Sequence, residues 1–90
     1  MNIEFSDKLK EKTVAFCMDE LNYQIKESDY ADEYHNEILA QIEILFLLGE
    51  TELARRFAFD YGNEILGSLN TVSIQREIHE LLNKYPMKNS

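Results

Sequence analysis

The chain is predicted to be all-α, a small antiparallel helical bundle of about four helices in a single domain over residues 1–90. Three observations lead there. Apolar residues recur at helical spacing in four segments, about residues 6–26, 29–48, 51–66 and 72–85. Breakers are scarce: three glycines and one proline, of which Gly49, Gly67 and Pro86 stand at segment ends. The all-apolar run Ile44 to Leu48 stops at Gly49, and a new helical pattern opens almost at once, which predicts a helix hairpin with Gly49 in the left-handed conformation. A hydrophobic fraction of 44% gives such a chain enough surface to bury, unlike a disordered acidic chain.

Helix 1 is predicted to start near Ser6 or Asp7, either of which can cap the free amides. Val14, Cys17, Met18, Leu21 and Ile25 form its core stripe. Leu9, Phe16 and Tyr23, spaced seven apart, form a second stripe well over 100° away around the axis. One small domain rarely covers both sides of a helix. Either helix 1 is sandwiched between neighbours, or the second stripe meets another chain.

Residues 27–30 are predicted to connect to helix 2, with Ser28 as its cap. Ala31, Tyr34, Ile38, Ile42, Leu45 and Phe46 share one face, and the last turns become apolar nearly all round through Ile44, Leu47 and Leu48. That pattern predicts a helix entering the centre of the fold. Helix 3 follows the hairpin, with Glu50 and Glu52 at its positive end. Ala54, Phe57, Ala58, Tyr61 and Ile65 face inward, whereas Phe59 and Leu66 lie off that face beside Gly62, which permits a close helix approach. Helix 4 separates most cleanly, with Ile74, Ile78, Leu81, Leu82 and Tyr85 on one side and Arg76, Glu77, Glu80 and Lys84 on the other. Short connections make sequential helices antiparallel neighbours.

The formal charge is −8, unevenly distributed. Residues 1–48 carry −7 and residues 49–90 only −1, and the acidity centres on Glu27, Asp29, Asp32, Glu33 and Glu37 with no base among them. Such a surface repels nucleic-acid phosphates and favours basic partners. Asp29, Asp32 and Glu33 also sit favourably at the positive end of helix 2, a purely structural role.

Residues 1–6 have neither the basic start nor the apolar core of a signal peptide, and the longest apolar run is five residues against about 20 for a membrane helix. A cytoplasmic protein without membrane contact is therefore expected. Cys17 is the single cysteine, which excludes an internal disulfide, and its apolar neighbours read as those of a small buried hydrophobe.

Asp32 and His35 have the one-turn carboxylate–imidazole spacing of helical metal sites, but no second copy supplies the remaining ligands. His79 reads as a packing residue at the margin of helix 4's stripe. No Gly-rich phosphate loop, paired-cysteine motif, nucleophile elbow or Ca²⁺ loop is present, so no cofactor, metal or catalytic residue is expected.

Two segments resemble known families. Leu48-Gly49-Glu50-Thr51-Glu52-Leu53-Ala54, with Tyr61 beyond it, resembles the middle of a tetratricopeptide repeat, over one partial repeat where stable arrays need about three. Residues 70–85 resemble the second helix of the small aspartyl-phosphate phosphatases of the sporulation phosphorelay. Their functional Ser-Gln-Glu-Leu-Asp falls on Gln75-Arg76-Glu77-Ile78-His79, where the glutamate and an aliphatic residue match and His79 replaces the terminal aspartate. Ordinary helical composition accounts for both.

The expected function is that of a small acidic interaction module, regulatory or inhibitory and self-associating, whose protein partner offers a basic or apolar docking surface. Its partner-binding residues are the acidic group above, and its interface residues are Leu9, Phe16 and Tyr23. One alternative is an acidic mimic of nucleic acid that blocks a DNA- or RNA-binding protein. Another is a small phosphatase-like regulator of a phosphorelay.

Overall fold

The computed structural model describes residues 6–27, 31–68 and 70–86. It contains four α-helices: α1 (Asp7–Leu21), α2 (His35–Leu47), α3 (Thr51–Glu64) and α4 (Thr71–Lys84). No strand occurs among the described residues.

Ser6 caps α1 as its position before the apolar periodicity suggests. Its Oγ accepts the Leu9 amide at 3.2 Å, satisfying one of the free donors of the first turn. The helical pattern then continues to residue 27, but not as α-helix throughout. Asn22–Glu27 form a π-helical turn, so the helix expected to reach residue 26 changes winding after Leu21. The wider turn carries the consecutive residues Gln24 and Ile25 both into the interior. A buried amide needs a partner, and Gln41 of α2 supplies it, donating from Nε2 to Gln24 Oε1 at 2.8 Å.

Ser28 and Asp29 lie outside the described residues, so the predicted cap of helix 2 does too. The chain re-enters as a 3₁₀ turn, Ala31–Tyr34, and becomes α-helical only at His35. α2 packs against α1, α3 and α4. Its apolar end is less central than the sequence pattern suggests: Leu47 is 68% exposed and Ile44 also reaches the surface, because Leu45 and Phe46 already fill the inward positions.

The hairpin forms as its glycine requires. Gly49 has φ of +87°, and the Glu50 amide donates back to Leu45 O at 2.9 Å, closing the end of α2 before α3 starts at Thr51. The core then consists of Cys17, Leu21 and Ile25 from the first segment, Ile38, Ile42, Leu45 and Phe46 from α2, Ala54, Phe57, Ala58, Tyr61 and Ile65 around α3, and Ile74 and Ile78 from α4. Val14, Met18, Leu81, Leu82 and Tyr85, also read as core, are partly buried at its edge. At the α3–α4 contact, Gly62 is buried and Gln75 Nε2 donates to its carbonyl at 2.8 Å, the close approach that a missing side chain allows. No helix among the described residues is long and apolar enough to cross a membrane.

Candidate interaction surface

α1 turns Cys17 and Leu21 into the core, so residues on the far side of its axis meet solvent. Leu9 is 46% exposed, Phe16 62% and Tyr23 50%. Of the two arrangements open to the second stripe, the sandwich does not occur among the described residues. Tyr23, in the π turn, meets the edge of Tyr34, with ring centroids 6.5 Å apart at 66°. Lys12 and Asp19 beside the row are exposed. Among the described residues the ion pairs are Lys26–Asp60, His35–Glu77 and Lys84–Glu43, so the charges flanking this row are not taken up by one.

The acidic group is spread over three consecutive elements that contact one another. Glu27 stands in the π turn, Asp32 and Glu33 in the 3₁₀ turn and Glu37 in the first turn of α2. Glu27, Glu33 and Glu37 are exposed, whereas Asp29 lies outside the described residues. Glu37, at the start of α2, also favours the positive end of that helix.

A second constellation escapes sequence reading. The His35 imidazole stands at the first position of α2 and bridges two other helices. Its Nδ1 is hydrogen-bonded to Tyr61 Oη of α3 at 2.7 Å, and its Nε2 to Glu77 Oε2 of α4 at 2.6 Å. Both ring nitrogens are thereby engaged within the chain. Among the described residues no group of three or more His, Cys, Asp or Glu side chains could hold a metal ion.

α4 makes a parallel arrangement one end further on. Glu43 of α2 accepts from Lys84 Nζ and from Tyr85 Oη, each at 2.7 Å, while the Tyr85 ring stacks on Phe46 at 4.9 Å. The Lys84 hydrogen bond, then that of Tyr85, holds the Glu43 carboxyl below the ordinary glutamate range. Glu43 in turn raises the Lys84 ammonium and the Tyr85 hydroxyl above theirs. Glu77 and Lys84, read from sequence as members of a solvent-facing flank, are instead cross-braces to α2. The helical period does place them off the apolar stripe, but α2 lies close enough for their side chains to cross to it.

The residues aligned with the phosphatase motif have structural partners of their own. Gln75 holds the Gly62 carbonyl, Glu77 holds His35, Ile78 is core, and Arg76 and His79 are exposed. His79, at the margin of the stripe, lines a groove with Phe59, Ile78 and Leu82 while its surface stays exposed. Burial raises the pKa of the Cys17 thiol, which disfavours the reactive thiolate.

Fold and surface thus define an all-α four-helix protein with cross-braced α2 and α4 and an uncovered apolar row on α1. Compared with known proteins, the chain matches no family model, no curated protein and no solved structure.

Proposed function

We propose that this protein is a non-enzymatic interaction module, regulatory or inhibitory in effect, that docks through the outer face of α1 with the adjoining acidic surface as an electrostatic guide. The observation that carries the reading is the row of Leu9, Phe16 and Tyr23. Isolated exposed apolar residues are ordinary, but an aligned row with two aromatics along α1 and the π turn that continues it resembles the anchors of docking surfaces. Glu27, Glu33 and Glu37 favour a partner with basic residues beside its apolar contact.

The test is capture of partners from the native host by the full chain, compared with Phe16→Glu and with a variant in which Asp32, Glu33 and Glu37 are neutralised. Specific capture that Phe16→Glu abolishes and that added salt weakens only modestly supports apolar docking. Capture unaffected by Phe16→Glu but lost steeply with salt contradicts it in favour of nucleic-acid mimicry. Capture unaltered by either variant removes both surfaces from the account.

A further inference from the structure

We infer that the outer face of α1 receives a second copy of this chain, the two α1 helices lying antiparallel about a two-fold axis at Phe16. The inference rests on the reading of that face as an interface and adds its occupant and geometry.

The row is self-complementary in that arrangement. Leu9 and Tyr23 stand seven residues to either side of Phe16. A two-fold at Phe16 opposes the two Phe16 rings and brings each Leu9 toward the second copy's Tyr23, which stands in the π turn just past α1. The same patch then serves both chains, as a closed symmetric pair requires.

Charge fixes the direction. At about 100° per residue, Lys12 and Asp19 both fall on one flank of the row, roughly 40° and 60° from its centre. An antiparallel two-fold keeps that flank on one side of the interface and reverses direction along it. Lys12 therefore comes level, within about one residue's rise of 1.5 Å, with the second copy's Asp19, and the pair occurs twice. Both side chains are exposed and outside the ion pairs of the described residues. The other flank brings Glu20 level with the second copy's Thr13, so no like charges are opposed. A parallel pair puts the two Lys12–Asp19 flanks on opposite sides of the interface, so these charges do not meet, and it aligns the helix dipoles unfavourably.

Among the described residues, the bundle packs against the opposite side of α1, through Cys17 and Leu21. Within α1 the two copies overlap over residues 11–21, about 16 Å of helix, and a contact of that length falls at the small end of specific interfaces. The expected dimer is therefore weak and reversible, concentration-dependent at tens of micromolar.

Sedimentation equilibrium on the full chain, with circular dichroism confirming helicity of each variant, tests the geometry. The wild type is expected to show a monomer–dimer equilibrium. Lys12→Glu and Asp19→Lys should each weaken it about tenfold, and the double variant should return within about threefold of the wild type, because the exchanged charges pair again. Phe16→Cys should form an intermolecular disulfide under mild oxidation, whereas Leu9→Cys alone should not; the native Cys17 is buried and does not compete. Leu9→Cys linking to itself as readily as Phe16→Cys, or failure of the double charge exchange to restore association, overturns the antiparallel arrangement. A wild type monomeric at hundreds of micromolar overturns the second copy as occupant. If Phe16→Glu still abolishes partner capture in that case, the face remains an interface for a different protein.

Discussion

α1 and α4 are helices of nearly equal length, each with one face in the core, yet their outward sides are used in opposite ways. On α4 two of the four flank charges are occupied within the chain: Glu77 holds His35, and Lys84, with Tyr85 just beyond the helix, holds Glu43. On α1 the outward row is apolar, and the charges beside it are outside the ion pairs of the described residues. The contrast separates two purposes of a surface. Substitutions on α4's flank should register as stability, and substitutions on α1's row as association.

The largest effect is expected at the His35 bridge. His35→Ala removes two hydrogen bonds that join three helices, one of them to the fully buried Tyr61, and should cost about 1–3 kcal/mol in chemical denaturation. A loss below about 0.5 kcal/mol, the scale of an ordinary surface substitution, would show that α4's flank is no more structural than α1's.

Next is Gly49, which belongs to neither flank and calibrates the fold itself. A Cβ added there meets no atom within 4 Å, so the cost of Gly49→Val is the left-handed backbone alone, roughly 1 kcal/mol or more. Unchanged stability would mean that the turn relaxes to another conformation.

The Glu43 brace adds a pH dependence. Its folded-state pKa lies below the unfolded one, so its contribution is complete above the ordinary value of about 4.5 and is lost as pH falls through the lowered folded value. Denaturation midpoints below pH 4.5 should therefore fall less steeply in Glu43→Gln than in the wild type. Equal slopes would place the Lys84–Glu43 contact among exposed pairs of negligible worth.

The smallest effect on stability is expected from the acidic surface. Neutralising Asp32, Glu33 and Glu37 together should leave the melting temperature nearly unchanged, since exposed charges such as Glu33 and Glu37 each contribute under about 1 kcal/mol, while slowing partner association and flattening its salt dependence. A clear drop in melting temperature would reassign these acids to completing the helix terminus.

Much of this architecture is legible in the residues. The cap at Ser6, the turn at Gly49, the close approach at Gly62 and the buried faces of α2 and α3 follow from local stereochemistry and periodicity, which depend on neighbours a few positions apart. The two stripes of α1 are also visible, though not which arrangement leaves the second one bare. What is not legible depends on distant residues. His35 and Glu77 are 42 positions apart, and their pairing requires the relative rotation of two helices. Gln24 and Gln41 are 17 positions apart, and nothing local marks a buried amide pair. The π turn leaves the helical periodicity nearly intact, and it goes unnoticed for that reason. Ile44 and Leu47 mislead in the opposite sense: an apolar run all round a helix reads as burial, yet the bundle had space for only part of it.

The central claim is that α1's outer row serves contacts between molecules and not the fold. Phe16→Glu tests it most directly when thermal melting and partner or self-association are measured on the same preparation. The account predicts a melting temperature within a degree or two of the wild type, since a surface substitution costs about 0.5 kcal/mol or less, together with loss of association. A melting temperature lowered by several degrees with association intact would contradict it, showing that Phe16 supports the fold and that the row has no partner.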